Sequence, residues 1–401
     1  MKKTMSFANE ESRSFTAATA FLLSTCLPLF FVSQLLLPGR FSALIPFAIF
    51  AVLAFLVFLL SKLRLFRWEL FISFAALNLF LITPEVILRW SGFRFESGIH
   101  STIPNAEEFR SFVSDKDLLW KLSPDGKDVN SMGFLGPEVE IPKPSNTIRS
   151  VFLGDSCTYQ GYPKIVKRRI NKKVKRRGAR FEAVNLALPG YSSYQGKVVA
   201  EKYALKVDPD VAVIFYGWND HWLSRLSDEA RAKNQTDAAH HLIEKAYGTF
   251  RTAQFFLWLF ADSHSEKMAQ LRVPLDEYKG NLIEIAALFQ RQEVPVLFVT
   301  APTTHYINGV PPFLVDHQYG ESKRSIVELH KSYAEATREA AVQSGAKLID
   351  LEDEFSQFGK YQQINLFTND GIHFSKLGNK AVAKRIAKGL KSALHLRRHP
   401  K

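Results

Sequence analysis

Two short segments of this 401-residue chain contain side chains that can carry out acyl-transfer chemistry. Residues 151–156 read VFLGDS, an apolar run that ends in a glycine, an acid and Ser156. More than two hundred residues later, residues 370–373 read DGIH, which contains Asp370 and His373. A serine hydroxyl is a weak nucleophile unless a base removes its proton, and His373 is the natural candidate for that base. Asp370 can accept a hydrogen bond from Nδ1 of the imidazole and so turn Nε2 toward the serine. The two segments together indicate a serine hydrolase.

The negative charge that develops on the substrate oxygen in such a reaction needs hydrogen-bond donors. Residues 186–193 read LALPGYSS and contain Gly190, and residues 217–220 read GWND and contain Asn219. The N–H groups of Ser156 and Gly190 and the side-chain amide of Asn219 fit this role. For each motif alone a tight turn is the favoured explanation, but the combination favours a catalytic site. This chemistry requires neither a metal nor an organic cofactor, and we expect neither.

The elements that position these residues are predicted from Thr147 onward, where short apolar runs alternate with helical stretches. The predicted strands are Ile148–Leu153, Phe181–Leu186, Val211–Tyr216, Val294–Thr300 and Lys347–Leu351. The predicted helices are Pro163–Arg177, Tyr194–Leu205, Leu275–Gln292, Ser322–Ser344 and Ser375–Leu394. This alternation indicates a parallel sheet with helices on both faces. Ligands of such sheets bind at the carboxyl ends of the strands, where Ser156, Gly190 and Asn219 are expected to lie.

At this point the chain resembles the SGNH, or GDSL, hydrolase family over roughly residues 147–394. Its four marker residues match Ser156 in GDS, Gly190 in LALPGYSS, Asn219 in GWND and His373 in DGIH. The resemblance implies a flavodoxin-like three-layer α/β/α domain with a parallel five-stranded sheet. It also implies Ser156 as nucleophile, His373 as general base and then acid, and Asp370 as its orienting partner. Gly190 and Asn219 would be the oxyanion donors, together with the Ser156 N–H.

Members of this family are mostly esterases, acylhydrolases and carbohydrate deacetylases. The resemblance therefore implies a serine esterase that deacetylates a carbohydrate or lipid ester through an acyl-Ser156 intermediate. A polysaccharide O-acetyltransferase with the same triad is an alternative, because only the acceptor in the second step differs. A catalytically inactive envelope scaffold is a third. The sequence does not separate these three, since water exclusion and acceptor binding decide between them.

The N-terminal part of the chain is predicted to be integral to a membrane. Residues 15–37 and 41–61 contain no charge and are long enough to cross a hydrocarbon layer of roughly 30 Å as helices. A third stretch at about residues 69–88 is weaker, because it contains Pro84 and Glu85. Basic residues precede the first stretch and lie between the second and third, which places both of these ends in the cytoplasm. Three crossings, the favoured interpretation, then predict a protein of the bacterial inner membrane with an extracytoplasmic catalytic domain. If the third stretch only lies on the membrane surface, the catalytic domain stays in the cytoplasm.

These patterns divide the chain into three predicted parts. Residues 1–90 form the membrane region, and residues 91–146 form a lead-in segment of turns and short strands. Residues 147–396 form the hydrolase-like domain, which contains a helical insertion at about residues 221–273. The aromatic stretch Phe255–Phe260 of this insertion is expected to cover the site or to touch the membrane.

The formal net charge of +13 is concentrated in Lys164–Arg180, which holds ten Lys or Arg and no acid. Nucleic acid is not expected as a partner, because no zinc-ligand spacing, RNA-binding motif or helix-turn-helix pattern accompanies the run. The favoured interpretation is a solvated amphipathic helix with Ile165, Ile170 and Val174 as its core stripe. Contact with an anionic lipid or an acidic polymer is the alternative.

Other candidate residues have structural explanations that are favoured over functional ones. Cys157 and Cys26 are not expected to pair, and Cys157 is interpreted as a small packed thiol. His240, His241 and Glu244 have a helical spacing that suits a metal, but no further ligand accompanies them. Residues with two open interpretations, pocket lining or packing, are Trp218, Tyr191, Tyr194, Arg272 and His305.

Overall fold

The structure is a computed structural model that describes residues 83–93, 112–123, 126–174, 178–234, 250–261 and 270–396. The chain divides into two compact units. One comprises Met1–Ser97 and Ala238–Ser265, and the other comprises Gly98–Asp237 and Glu266–Lys401. The predicted spans 15–37 and 41–61, and most of 69–88, lie outside the described residues. Within the described ranges, no helix combines the length and apolar character needed to cross a membrane.

The second unit contains the predicted alternation of strands and helices. Its strands are β1 (Phe112–Asp115), β2 (Leu119–Leu122), β3 (Thr147–Gly154), β4 (Arg180–Asn185), β5 (Val211–Phe215), β6 (Leu223–Ser224), β7 (Gln270–Leu271), β8 (Val296–Val299) and β9 (Lys347–Ile349). Its helices are α1 (Ser156–Tyr159), α2 (Tyr162–Val174), α3 (Ser193–Val199), α4 (Asp228–Asn234), α5 (Leu275–Gln290), α6 (His305–Asn308), α7 (Pro312–Asp316), α8 (Lys323–Ser344), α9 (Leu351–Ser356), α10 (Lys360–Leu366) and α11 (Lys376–Leu396).

The central sheet has five parallel strands in the order β4-β3-β5-β8-β9. Counted along the chain, this is the order 2-1-3-4-5 of flavodoxin-like folds, as expected from the sequence. Strand order reverses between β3 and β5, so their carboxyl ends flank the crevice where such folds bind ligands. Ser156 follows β3 by two residues, and Asn219 follows β5 by four residues. The predicted parallel five-stranded sheet is thereby confirmed.

Helices cover both faces of the sheet, because strand residues alternate between two apolar cores. Val151 and Leu153 pack into one core with α3, α5 and α8. Phe152 packs into the other core with α2 and α11. All five residues of β5 are buried, which is typical of a parallel strand covered on both faces. These layers form the predicted three-layer α/β/α arrangement.

Two predicted helices differ in detail from the observed ones. The predicted helix Tyr194–Leu205 is α-helical only over Ser193–Val199, and it continues as a π turn, Ala200–Ala204, and a 3-10 turn. The wider turn keeps both Ala200 and Ala204 fully buried. In α2 the core stripe centres on Val166 and Ile170, because these two side chains face both the sheet and α11. Ile165 and Val174, which were predicted for this stripe, are only partly buried.

The lead-in segment packs into the same core as the sheet. Strands β1 and β2 form an antiparallel hairpin, and Trp120 of β2 contacts the ring of Tyr191 at 5.6 Å between centroids. The indole Nε1 of Trp120 donates to the carbonyl of Pro189 at 3.2 Å, and the Tyr191 hydroxyl donates to the Trp120 carbonyl at 2.7 Å. The hairpin thus supports the loop that carries Gly190, a contact that the sequence did not predict.

The base of the insertion contains a short ladder that the sequence did not predict. Strand β6 pairs antiparallel with β7, so the two ends of the insertion lie side by side. The remainder belongs in part to the first unit, whose described residues form two helical segments, 83–90 and Arg251–Ala261. The Glu85 carboxylate accepts hydrogen bonds from the N–H groups of Arg251 and Thr252 at 3.0 and 2.8 Å. An acid at a helix N-terminus interacts favourably with the positive end of the helix dipole, so Glu85 stabilises the start of the helix Arg251–Ala261.

A buried ion pair joins β3 to β4. The Arg149 side chain is fully buried, and its guanidinium lies 2.9 Å from Glu182 and donates to the carbonyls of Val207 and Glu140 at 2.6 and 3.0 Å. Arg180 also contacts Glu182, at 3.0 Å, but its side chain is 62% exposed. The two arginines therefore offer a matched comparison of a buried and an exposed partner of one carboxylate.

We predict that Arg149→Gln lowers the free energy of unfolding by about 3 kcal/mol, because it leaves the Glu182 charge and two carbonyls without their buried donor. The matched change Arg180→Gln should cost less than about 1 kcal/mol, since solvent screens the exposed pair. Denaturant unfolding of the purified protein, followed by tryptophan fluorescence, measures both. Equal losses of unfolding free energy in the two variants would contradict the larger contribution of the buried Arg149 to stability.

Candidate active site

Ser156, His373 and Asp370 form a continuous hydrogen-bonded chain. The Ser156 Oγ lies 2.7 Å from the His373 Nε2, and the His373 Nδ1 lies 2.5 Å from the Asp370 Oδ2. With a proton on Nδ1, the imidazole donates to the carboxylate and accepts the serine proton at Nε2. Ser156 and His373 are 217 positions apart in the sequence, and the fold brings their side chains into contact. The arrangement can activate the serine hydroxyl as a nucleophile.

The turn that presents Ser156 depends on Gly154 and Asp155. A Cβ on Gly154 would lie 2.3 Å from the Thr158 Oγ1 and 2.8 Å from the Phe215 carbonyl oxygen, so only glycine fits at the end of β3. Asp155 caps α1, and its Oδ1 accepts from the Cys157 N–H at 2.9 Å. Burial raises the pKa of Asp155 to about 6, although the hydrogen bond from Cys157 opposes that shift. Asp155 therefore stabilises the turn through its bond with the Cys157 N–H and forms no hydrogen bond with His373.

The turn that presents His373 is organised by Asp370. Gly371 adopts a φ of 72°, which L side chains rarely take, and this lets the chain reverse between the acid and the histidine. The Asp370 Oδ1 accepts from the N–H groups of Ile372 and His373 at 2.9 and 3.0 Å. Burial acts to raise the pKa of Asp370, but these bonds and the His373 ring outweigh it and hold the pKa well below its ordinary value. Asp370 thus remains ionised beside the imidazole.

The three predicted oxyanion donors lie on loops at the same edge of the sheet. Ser156 supplies the first N–H of α1. The first N–H groups of any helix have no hydrogen-bond acceptor within that helix, so this donor is available to a ligand. Gly190 has a φ of 79° in the loop after β4, and its N–H has no acceptor in the described part of the chain. The Asn219 amide donates to the Tyr191 carbonyl at 3.0 Å, which fixes its orientation and leaves its second N–H for a ligand.

Asp220 ties two of these loops together. One of its carboxylate oxygens accepts from the Ser193 N–H at 2.7 Å, and the other accepts from the Gly217 N–H at 3.1 Å. Burial raises the pKa of Asp220 to about 7, against the opposing effect of its bonds with Ser193. The loops after β4 and β5 therefore share a buried acceptor, which the GWND motif contains but which sequence reasoning did not assign.

A buried ion pair lies beneath the same loops. Arg272 and Asp228 are both fully buried, with the guanidinium Nη2 at 2.7 Å from the Asp228 Oδ2. The same Oδ2 accepts from the Ser192 hydroxyl at 2.7 Å. Arg272 was open between pocket and structural interpretations, and its burial makes it structural. The pair connects the base of the insertion to the loop that carries Gly190.

The aromatic residues near the motifs pack inside the protein. Trp218 is 2% exposed and stacks on His330 with ring centroids 3.8 Å apart. Tyr191 is fully buried, whereas Tyr194 is only partly buried. Of the two interpretations left open for Trp218 and Tyr191, pocket lining or packing, their burial supports packing. His305 is 3% exposed, and its Nε2 donates to the Asp370 carbonyl at 2.7 Å, so it braces the histidine loop.

The remaining candidates carry no catalytic geometry. Burial raises the pKa of the Cys157 thiol well above its ordinary value, and the thiol lies 3.7 Å from the Ile372 carbonyl. It is therefore a packed, protonated thiol, as expected. His240, His241 and Glu244 lie outside the described residues. Among the residues that are described, no cluster of three or more His, Cys, Asp or Glu is suited to hold a metal ion.

Residues 152–381 match the family described as GDSL-like Lipase/Acylhydrolase. The chain is 27% identical over 203 residues to a GDSL esterase/lipase of Arabidopsis thaliana, covering 49% of this chain and 72% of that protein. It is 30% identical over 149 residues to a probable rhamnogalacturonan acetylesterase of Bacillus subtilis, covering 33% of this chain and 62% of that protein. Among solved structures, a lipase/acylhydrolase from Enterococcus faecalis is similar, with 17% identity and a TM-score of 0.39 over 61% of this chain and 96% of that one.

We predict that Asp220→Asn flattens the pH dependence of stability. The carboxyl binds its proton more tightly in the folded than in the unfolded chain, so the free energy of unfolding falls as pH rises from 3.8 to about 7 and is constant above that range. One such proton contributes a slope of at most about 1.4 kcal/mol per pH unit, which the amide removes. Denaturant unfolding between pH 4 and about 8 measures the slope.

The matched control is Asp276→Asn, which changes an exposed acid in the first turn of α5. It should leave the slope of the parent protein intact. An unchanged slope in Asp220→Asn would show that this carboxyl keeps its ordinary affinity for protons in spite of its burial.

Proposed function

Because the chain belongs to the GDSL-like lipase/acylhydrolase family of ester hydrolases, we propose that it deacetylates a carbohydrate or lipid ester through an acyl-Ser156 intermediate. The observation that carries this proposal is the hydrogen-bonded chain from Ser156 through His373 to Asp370. It joins the Ser156 hydroxyl to one nitrogen of His373, whose other nitrogen is hydrogen-bonded to the ionised Asp370. This is the arrangement that acyl transfer through a serine requires.

In the first step, the Ser156 oxygen attacks the ester carbonyl carbon while its proton moves to the His373 Nε2. The imidazolium that forms is stabilised by Asp370, whose low pKa keeps it ionised as the charge develops. The carbonyl oxygen becomes an oxyanion beside the N–H groups of Ser156 and Gly190 and the Asn219 amide. His373 then returns its proton to the leaving alcohol oxygen, and the C–O bond of the ester breaks.

In the second step, water replaces the alcohol and the same residues act in reverse order. His373 removes a proton from the water, and the resulting hydroxide attacks the acyl carbon of Ser156. Collapse of the second tetrahedral intermediate releases acetate, and His373 returns the proton to the Ser156 oxygen. No bond in this cycle requires an oxidant, a reductant or a metal.

The acetyl preference is supported by the acetylesterase relative of Bacillus subtilis, whose name assigns it a carbohydrate ester. A transferase would form the same acyl-enzyme and pass the acetyl group to a sugar hydroxyl. The geometry of the triad suits both reactions. The experiment must therefore determine whether water or a sugar hydroxyl accepts the acetyl group.

We further propose that the enzyme is anchored in the bacterial inner membrane, with the catalytic domain outside the cytoplasm. The support is the uncharged stretches 15–37 and 41–61 and the positions of the flanking basic residues. In the described part of the first unit, Trp90 and Phe256 are 91% and 56% exposed. Exposed aromatic side chains of this size suit a bilayer interface.

The detergent-purified protein should hydrolyse p-nitrophenyl acetate faster than the butyrate and octanoate esters. Ser156→Ala should reduce kcat/KM by at least about 10³-fold, because it removes the nucleophile. Asp370→Asn should reduce it by about 10³ to 10⁴-fold, because the amide no longer holds the imidazole in its productive tautomer. Steady-state kinetics on the three esters measures these effects.

Cys157→Ser is the matched control, since it alters the adjacent side chain without touching the hydrogen-bonded chain. It should retain activity within about threefold, as expected for a buried, protonated thiol. Esterase activity that survives Ser156→Ala would contradict the mechanism. Acetyl transfer to an added glycan without release of free acetate would identify a transferase instead.

The membrane orientation predicts the behaviour of reporter fusions after Lys401. An alkaline phosphatase fusion should be active and a cytoplasm-dependent fluorescent fusion should be dark, because three crossings place the C-terminus outside the cytoplasm. Deleting residues 69–88 removes one predicted crossing and should reverse both signals. A fluorescent fusion to the intact chain would contradict the three-span orientation.

A further inference from the structure

Helices α2 and α11 lie side by side on one face of the sheet and form a groove. Val166 and Ile170 of α2 pack with Ala383 and Ala387 of α11 in one apolar core. Above this seam the groove is lined by eleven Lys or Arg side chains, and no acid is found among the described residues that line it. The basic segment recognised in the sequence is therefore one wall of a groove, and α11 supplies the other.

The cations of the two walls are regularly spaced. Seven of the eleven recur at every fourth residue of their helix, which places successive side chains about 6 Å apart on one face. Both helices begin at the catalytic edge of the sheet, so the two rows run in the same direction. The exposed members of the rows are Lys164, Arg168 and Lys172 on α2 and Lys376, Lys380, Lys384 and Lys388 on α11.

These rows disfavour the folded state by themselves. Like charges four residues apart on a helix repel each other, and the facing row adds to the repulsion. Arg385 pairs with Glu354, but that acid stands outside the groove lining. A polyanion in the groove would relieve the repulsion and would gain from the release of its counterions. The groove therefore has the charge of a binding site for a polyanion.

One end of the groove adjoins the nucleophile. Gln160 and Gly161 line this end together with Lys376. The Gln160 N–H donates to the Ser156 carbonyl at 3.1 Å, so the groove ends within one turn of the catalytic serine. Lys376 begins α11 directly after the segment that carries His373. A chain molecule lying in the groove would thus reach the catalytic edge.

The shape of the groove distinguishes the classes of polyanion. Its two rows of cations face each other across a concave channel, which suits a chain between them better than a flat bilayer surface. No aromatic side chain is found among the described residues that line it, so it lacks the stacking platform on which single-stranded nucleic acids depend. A chain with carboxylate groups on successive sugars satisfies both constraints.

We propose that this groove binds an acidic glycan and that the ester cleaved at Ser156 is carried by that glycan. The inference rests on the proposed function, which it deepens by assigning the substrate class. The α2–α11 groove acts as a recognition site for the polymer, and the triad acts on the acetyl group that reaches the edge. The carboxylate groups of the glycan contribute affinity. The hydrolysis at Ser156 proceeds as it would for any acetyl ester.

The test compares two triple variants of the full-length, detergent-purified protein with the same change in net charge. The groove variant is Lys380→Gln, Lys384→Gln and Lys388→Gln. The control variant is Lys206→Gln, Lys323→Gln and Lys360→Gln, which alters exposed lysines outside the groove. The substrates are O-acetylated polygalacturonate, an acetylated neutral glucan and p-nitrophenyl acetate. Binding is measured separately with polygalacturonate that lacks acetyl groups, with anionic phospholipid vesicles and with a single-stranded oligonucleotide.

The groove variant should lower kcat/KM for the acidic polymer, relative to that for p-nitrophenyl acetate, on the order of tenfold, and added salt should have the same effect on the parent protein. The control variant should keep the parent ratio. An unchanged ratio in the groove variant, or tighter groove-dependent binding of vesicles or oligonucleotide than of polygalacturonate, would overturn the proposal. Absence of hydrolysis of every ester, with groove-dependent binding of polygalacturonate intact, would overturn the proposed function but not the polymer site.

Discussion

Three carboxylates that accept backbone N–H groups, two of them buried and one partly exposed, hold together the edge of the sheet that carries the candidate active site. Asp155 accepts from Cys157, Asp220 accepts from Ser193 and Gly217, and Asp370 accepts from Ile372 and His373. Each acid thereby fixes a loop at the carboxyl end of a strand, where no sheet partner satisfies these donors. Burial and hydrogen bonding shift the pKa of a carboxyl in opposite directions. Burial dominates at Asp155 and Asp220 and raises their pKa, whereas at Asp370, which contacts the imidazole, the hydrogen bonds and the His373 ring dominate and lower it.

The supports of this edge come from distant parts of the chain. Trp120 of the hairpin bonds to the loop after β4, and the buried Arg272–Asp228 pair reaches the same loop through Ser192. Buried charged groups are costly unless they are paired, so the relative positions of Arg272 and Asp228 are tightly specified. The loop that carries Gly190 is consequently held on two sides. A donor that is fixed before the substrate arrives needs no reorganisation as charge develops.

The two faces of the sheet have different characters. One is covered by α3, α5 and α8 and supports the loops of the oxyanion donors. The other is covered by α2 and α11, whose outer surfaces form the basic groove. Since both of those helices begin at the catalytic edge, the charge pattern extends from that edge along the protein. The groove and the candidate active site therefore meet at that edge, as the proposed binding of an acidic glycan requires.

The sequence alone indicated the ester-hydrolase family and the fold class. The four motifs named Ser156, His373, Asp370, Gly190 and Asn219, and the alternation of apolar runs predicted the parallel sheet, because strand and helix periods are local properties. Only the tertiary structure decided which polar residues are buried partners. In the tertiary structure Asp220 bonds to two loops, Trp218 is buried, and α11 packs against α2. These outcomes depend on contacts between residues far apart in the chain, for which local pattern carries no information.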